Sequence, residues 1–133
     1  MLVGIPGSGK TTLALNSYQN HRRINLDRLH TRKKEDEEIA NSIANGRDII
    51  IDNTNTTIRS RSKYIKTAKI SAISIRAIYL KCPVAVALER NASRQGKERV
   101  PDNAVRFYNK ILQPPTLQEG FDQVDELDIE TQA

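Results

Sequence analysis

Gly4-Ile5-Pro6-Gly7-Ser8-Gly9-Lys10-Thr11, followed by Thr12, is the stretch whose residue types and spacing most plainly imply a chemistry. Glycines let the backbone curl so that successive N–H groups point inward at an anion, and a helix starting there adds its positive end. The pattern G-x-x-x-x-G-K-[ST] is met at every defined position, which makes this a phosphate cradle with a division of labour. Gly4, Pro6, Gly7, Ser8, Gly9, Lys10, Thr11 and Thr12 are the expected nucleotide-binding residues. Lys10 reaches the β and γ phosphates, and the Thr11 hydroxyl is the expected magnesium ligand. Average residue usage would produce this pattern in a chain of this length well under ~1% of the time.

Magnesium held at such a loop needs a further acidic group. Ile49-Ile50-Ile51-Asp52 supplies one, an apolar strand ending in a carboxylate. In open α/β sheets strand C-termini line the ligand crevice, so Asp52 faces the loop. The competing reading is a plain turn, because Asp52-Asn53-Thr54-Asn55 is turn-like. Arg90 and Arg94 lie one helical turn apart and share a face; Lys97 and Arg99 follow, with Gln95-Gly96 as a break that would allow closure. On residue type alone these are equally a solvated basic helix end. Arg59, Lys63 and Lys66 form a basic helix face that either meets solvent or tracks a nucleic-acid backbone. His21 and His30 read as surface residues, Cys82 as a buried inert thiol, and most of Tyr18, Tyr64, Tyr79, Phe107, Tyr108 and Phe121 as core.

Short apolar runs alternate with helical patterns, the signature of a parallel α/β sheet. Strands are expected at 1–3, 24–26, 48–52 and 73–81, with an edge strand or acidic tail at 124–133. Helices are expected at 10–20, 35–45, 57–70, from Pro83 onward, and at 102–112, where Pro114 and Pro115 stop the last. The 133 residues suit one domain, expected over 1–123, with no repeat, linker or low-complexity tract. The first strand, three residues before Gly4, is short against the usual five or six.

The chain carries 21 Lys and Arg against 16 Asp and Glu. All 21 precede residue 118, whereas Glu119, Asp122, Asp125, Glu126, Asp128 and Glu130 follow it. A basic body with an acidic end suits a polyanionic partner or simply a soluble surface. No apolar run is long enough for a membrane span and no secretory leader is evident, while one cysteine supports neither an internal disulfide nor a zinc cluster. The expectation is a reduced, cytoplasmic protein that does not engage a membrane.

Pro6-Gly7-Ser8-Gly9-Lys10, Asn25-Leu26-Asp27, Asp52-Asn53-Thr54-Asn55, Arg90-Asn91-Ala92-Ser93-Arg94 and Val100-Pro101 occur in an order that resembles the P-loop polynucleotide 5′-hydroxyl kinases. Pro115-Thr116-Leu117-Gln118-Glu119-Gly120-Phe121 is similar to the end of the kinase domain in the eukaryotic branch of that family. The resemblance implies an α/β P-loop NTPase fold of the kinase type, a parallel sheet sandwiched by helices, with a short lid. It also implies ATP and magnesium as cofactors. Asp27 falls where those kinases keep the general base, although its residue type equally suits an exposed helix N-cap. Arg94 and Arg90 become the lid arginines that stabilise charge on the transferred phosphoryl. Three residues after Asp27 the phage member has an arginine that holds the acceptor's phosphate; this sequence has His30, and Arg28 or Arg32 would have to substitute.

The expected activity is therefore transfer of the γ-phosphate of ATP to a 5′-hydroxyl end of DNA or RNA, beside a separate phosphatase or ligase partner. Lys10, Asp27, Arg94 and Arg90 would be catalytic, and Thr11 and Asp52 would hold metal. Two other readings stay open. One is a kinase of small hydroxyl compounds such as a nucleoside, sugar or antibiotic, since the scaffold does not decide the acceptor. The other is a non-catalytic ATP-binding switch, which would have no need of Asp27 and Arg94.

Overall fold

The computed structural model describes residues 1–129, apart from the side chain of Lys97; Glu130, counted above with the acidic end, lies outside the described residues. Among the described residues five parallel strands alternate with helices: β1 (Leu2–Val3), α1 (Lys10–Ser17), β2 (Arg22–Ile24), α2 (Leu26–Leu29), α3 (Arg32–Ala44), β3 (Ile49–Ile51), α4 (Ile58–Ile70), β4 (Arg76–Lys81), α5 (Val84–Ala92), α6 (Asp102–Ile111) and β5 (Gln123–Asp128). Single 3₁₀ turns occupy Gly96–Glu98 and Leu117–Glu119.

The strands form two parallel ladders, β1-β4-β5 and β2-β3. β1 pairs Leu2 with Ile78 and Val3 with Tyr79, and β2 pairs Ile24 with Ile51. The ladders are stitched together at their C-terminal ends, where Gly4 N–H donates to Thr54 O at 3.0 Å and Asn55 Nδ2 to Leu2 O at 2.8 Å. Towards the other end of the strands, a cavity of about 510 Å³ is lined by Met1, Ile39, Ile43, Ile49 and Ile73 among others. It lies away from the loop.

Alternation along the strands explains the layers. Met1, Val3, Ile24, Ile51 and Tyr79 face Ile39, Tyr64 and Ile65 of α3 and α4. Leu2, Ile50, Ile78 and Leu80 face the opposite way, towards Ala14 of α1. A third cluster joins Ile5 of the loop to Val86 and Ala87 of α5 and Val105 of α6, so these two helices pack against the phosphate loop.

Several boundaries differ from expectation, each for a local reason. α1 ends at Ser17, three residues early, because Tyr18 leaves the helical range at φ −128° and its ring packs edge-on against His21. α3 begins three residues early because the Thr31 side chain caps Lys34 N–H. β2 is Arg22–Ile24 rather than 24–26, since Asn25 caps a four-residue helix that periodicity is too short to reveal. Of the two expectations for the acidic end the edge strand holds: β5 pairs along the whole of β4, Asp122 accepts from Ile75 N–H at 2.7 Å, and the Glu119 carboxylate meets the buried Arg61 guanidinium. Among the aromatics, Phe107 is 56% exposed and not core. Ile58, at the first turn of α4, is 45% exposed.

Candidate active site

The loop 4–11 runs from the end of β1 into α1. Gly7 and Gly9 have φ of +86° and +98°, the left-handed region that side chains disfavour. Gly7 is constrained twice, since a Cβ there would sit 2.5 Å from the Ala87 carbonyl oxygen of α5. Ser8 and Lys10 are buried, Gly9 and Thr11 partly exposed, and Thr12 exposed on α1. Lys10 Nζ donates to Ile5 O at 2.9 Å and reaches Ser8 Oγ at 3.5 Å, which folds the ammonium back over its own loop. Burial pulls its pKa down to about 8, opposed by the charge of Asp52 and reinforced by that of Arg94. Asp27 also acts on it, on the raising side.

Asp52 follows β3 directly and is almost fully buried. Its Oδ2 accepts from Thr11 Oγ1 at 3.1 Å and from Arg23 Nε at 2.8 Å. The hydroxyl and carboxylate expected to share a metal are thus in contact, and both are hard oxygen donors of the kind magnesium takes. Among the described residues no group of three or more His, Cys, Asp or Glu side chains gathers as a metal cage. Arg23 is the residue that the sequence did not reveal. Its signal is only the alternation of a short strand, which sends it to the face that Thr11 occupies.

Asp27 lies in the first turn of α2, exposed at the C-terminal end of β2. The cap of that helix is Asn25, whose Oδ1 accepts from Arg28 N–H at 3.1 Å; Asp27 itself is no cap. Asn25 Nδ2 donates to Asp52 O at 2.7 Å, and Leu26 N–H donates to Asn53 Oδ1 at 2.9 Å. The loop bearing Asp52 therefore also carries the turn bearing Asp27. His30 ends the turn, exposed and at φ +69°.

Arg90 comes from α5, but that helix ends at Ala92 with Ser93 as its cap, so Arg94 lies beyond it and the two do not share a helical face as expected. Arg90 Nη1 is 3.5 Å from Ser8 O and would lie 3.2 Å from a Cβ at Gly9. Arg94 Nη1 is 3.4 Å from Glu98 O, within the turn that follows. Fully buried Asn91 closes that segment on itself: its Nδ2 donates to Val100 O at 2.6 Å and its Oδ1 accepts from Val100 N–H at 3.0 Å. Lys63, expected on an open basic face with Arg59 and Lys66, is instead engaged by Glu35 at 3.0 Å and Asp36 at 3.1 Å. That leaves Arg59 and Lys66 exposed on α4.

A family model described as AAA domain matches residues 36–115, more than half of the chain. The chain belongs to that AAA-domain family. This AAA-domain chain is 35% identical over 132 residues to a bifunctional polynucleotide phosphatase/kinase of Schizosaccharomyces pombe, covering 96% of this chain and 32% of the relative. A relative from Acanthamoeba polyphaga mimivirus, given the same bifunctional name provisionally, is 31% identical over 133 residues, covering 94% and 32%. The domain thus spans about a third of the length of these curated relatives. Its fold resembles that of a gluconokinase from Sinorhizobium meliloti 1021, with TM-score 0.63 at 17% identity over 98% of this chain and 82% of that one. The fold is that of the α/β P-loop kinases. Among the described residues no helix is long and apolar enough to cross a membrane.

Proposed function

We propose that this domain is an ATP- and magnesium-dependent phosphotransferase that acts on 5′-hydroxyl ends of DNA or RNA. The observation that carries the reading is convergence. Thr11 of the loop bonds Asp52 at 3.1 Å, Asn25 at the head of the turn bearing Asp27 bonds Asp52 O at 2.7 Å, and Arg90 lies 3.5 Å from Ser8 O, so phosphate loop, candidate metal carboxylate, candidate base and guanidinium meet at one crevice. Similarity to two proteins named as polynucleotide phosphatase/kinases favours a nucleic-acid acceptor over other hydroxyls.

In this reading the N–H groups of Gly7 to Thr11 hold the phosphates of ATP, and Lys10 neutralises the β and γ groups. Thr11 and Asp52 would hold magnesium, which when bound offsets phosphate charge and fixes the γ-phosphoryl in line. Asp27 accepts the proton of the 5′-hydroxyl as its oxygen attacks the γ phosphorus. The bond from that phosphorus to the oxygen bridging the β phosphate breaks, and ADP leaves with the electron pair. Arg94 and Arg90 stabilise charge on the transferring group, a contribution that reaches ~10³-fold or more in related chemistry.

The small-acceptor reading gains from one observation, the engagement of Lys63 by Glu35 and Asp36, which thins the basic face. One assay separates the two. Labelled γ-phosphate is offered to 5′-hydroxyl oligonucleotides, 5′-phosphorylated controls and free nucleosides, with Lys10→Ala and Asp27→Asn beside the wild type. Label on the 5′-hydroxyl ends, lost in both variants, is the expected result. Label on nucleosides alone would move the acceptor to small molecules.

A further inference from the structure

Glu35 is a buried carboxylate that the proposed chemistry does not use. It sits in the first turn of α3 with no exposed surface. Its Oε1 accepts from the Tyr64 hydroxyl at 2.8 Å, Lys63 Nζ at 3.0 Å and Arg32 Nη1 at 3.1 Å. Its Oε2 accepts from Asn53 Nδ2 at 3.1 Å. Burial alone would raise its pKa, but the hydrogen bonds from Lys63 and Tyr64 outweigh that and hold it below the usual glutamate value. Burying an ion is costly even when paired, and packing α3 on the sheet would need only an apolar side chain.

The consequence of the charge appears at Asn53. A carboxylate can only accept, so the Asn53 amide turns its NH₂ group to Glu35, and to the Tyr64 hydroxyl at 3.3 Å, which accepts from it while donating its own proton to Glu35. Its Oδ1 then faces the other way, where it accepts from Leu26 N–H at 2.9 Å. That N–H opens α2, and the next residue is Asp27. A four-residue helix has no stability of its own, so its capping contacts decide where it points. We infer that Glu35 is a positioning residue for Asp27, acting through the fixed amide of Asn53 and the Leu26 N–H. The inference rests on the reading of Asp27 as the base.

The same geometry sets the test. In Glu35→Gln the new amide must point its NH₂ group at one set of neighbours. Three donors crowd the Oε1 side, so it turns towards Asn53, whose own amide then flips and sets its NH₂ group against Leu26 N–H. In Asn53→Asp two carboxylates face each other. The double variant Glu35→Gln with Asn53→Asp restores a donor–acceptor pair and returns an acceptor to Leu26 N–H.

Phosphate transfer, ATP affinity and amide hydrogen exchange at Leu26 would be measured on the full chain, at a temperature where circular dichroism finds every variant folded. Each single variant is expected to lose about tenfold in kcat with ATP affinity unchanged, the cost of a slightly misplaced base, and the double to recover to within about twofold. Leu26 exchange should quicken in Glu35→Gln and slow again in the double. Singles that keep wild-type kcat, or a double no better than either single, overturn the inference. Asp27→Asn runs beside them. If it leaves transfer intact, the base reading falls and takes the relay with it. If it abolishes transfer while the singles are unaffected, only the relay falls.

Discussion

Lys10 offers the sharpest test of the site, because its environment makes proton binding part of nucleotide binding. With a pKa of about 8 in the nucleotide-free domain, the ammonium at pH 9 is present in only about a tenth of molecules. Phosphates placed on the loop supply the negative charge that burial denies it, returning the bound-state value towards the ordinary ~10.4 for lysine. ATP binding at pH 9 should therefore take up about 0.9 proton, and affinity should weaken about tenfold between pH 7 and pH 9. Calorimetry in two buffers of different ionisation enthalpy reads the uptake directly. Lys10→Met should bind more weakly at every pH and take up nothing. The linked stability has a definite sign. A folded value below the unfolded one means that the unfolded chain holds more protons between pH 8 and pH 10.5. The penalty for burying the charge, at most about 3 kcal/mol, is thus full below pH 8 and relieved as pH rises across that window. Binding without proton uptake at pH 9, together with flat affinity, would refute the reasoning.

Two further outcomes follow from buried polar groups. Arg61 donates to Glu119 at 2.7 and 2.9 Å through two nitrogens and to Asn55 O at 2.9 Å through the third. Glu119→Ala should therefore cost about 3–5 kcal/mol in urea unfolding by stranding a buried guanidinium, with much of it regained in Arg61→Met/Glu119→Leu. Although burial opposes it, bonding to Arg61 holds the Glu119 pKa below the usual glutamate range. The pair's contribution is therefore present above the unfolded value and lost as acid titrates through the folded one, and acid titration of the wild type against the double variant reads that limb. Asn91→Ala should release the 94–99 segment from Val100, lowering kcat for phosphate transfer and speeding tryptic cleavage at Arg94 and Arg99, with a loss of about 1–3 kcal/mol that lowers the melting temperature by roughly 3–15 °C.

The phosphate loop was legible because its chemistry needs particular residue types at fixed spacing, and glycine at Gly7 is demanded by φ and by the Ala87 carbonyl alike. β3 and β4 were legible from apolar, β-branched runs, β3 most plainly, whereas β2 falls two residues earlier than its sequence suggests. α2 was hidden, because a four-residue helix has no period to detect and its cap Asn25 is equally a turn residue. Arg23 was hidden because strand alternation in three residues cannot say which face meets the loop. The ion pair of Arg61 with Glu119 was hidden for another reason. Charged residues read as surface by default, and the two lie 58 positions apart in the chain. The acidic end read as either an edge strand or a tail, since net charge carries no information about pairing, and β4 takes it as the strand.

The segment Asp52-Asn53-Thr54-Asn55 shows why the turn reading and the functional reading were never true alternatives. Each residue has a separate duty, and each duty needs a polar group held in place. Asp52 meets Thr11 across the loop, and Asn53 holds the first N–H of α2. Thr54 O takes Gly4 N–H, while Asn55, buried at φ +49°, bonds Leu2 O through its side chain and Arg61 through its carbonyl. These contacts join two ladders that share no strand pairing among the described residues, so the segment that sets Asp52 beside Thr11 and carries the turn of Asp27 is also the one that closes the sheet. A loosened stitch would therefore be felt first as misplaced chemistry and only then as lost stability. A composition that looks like a generic turn is here what a crossing between two half-sheets requires when the active site is built on the crossing itself.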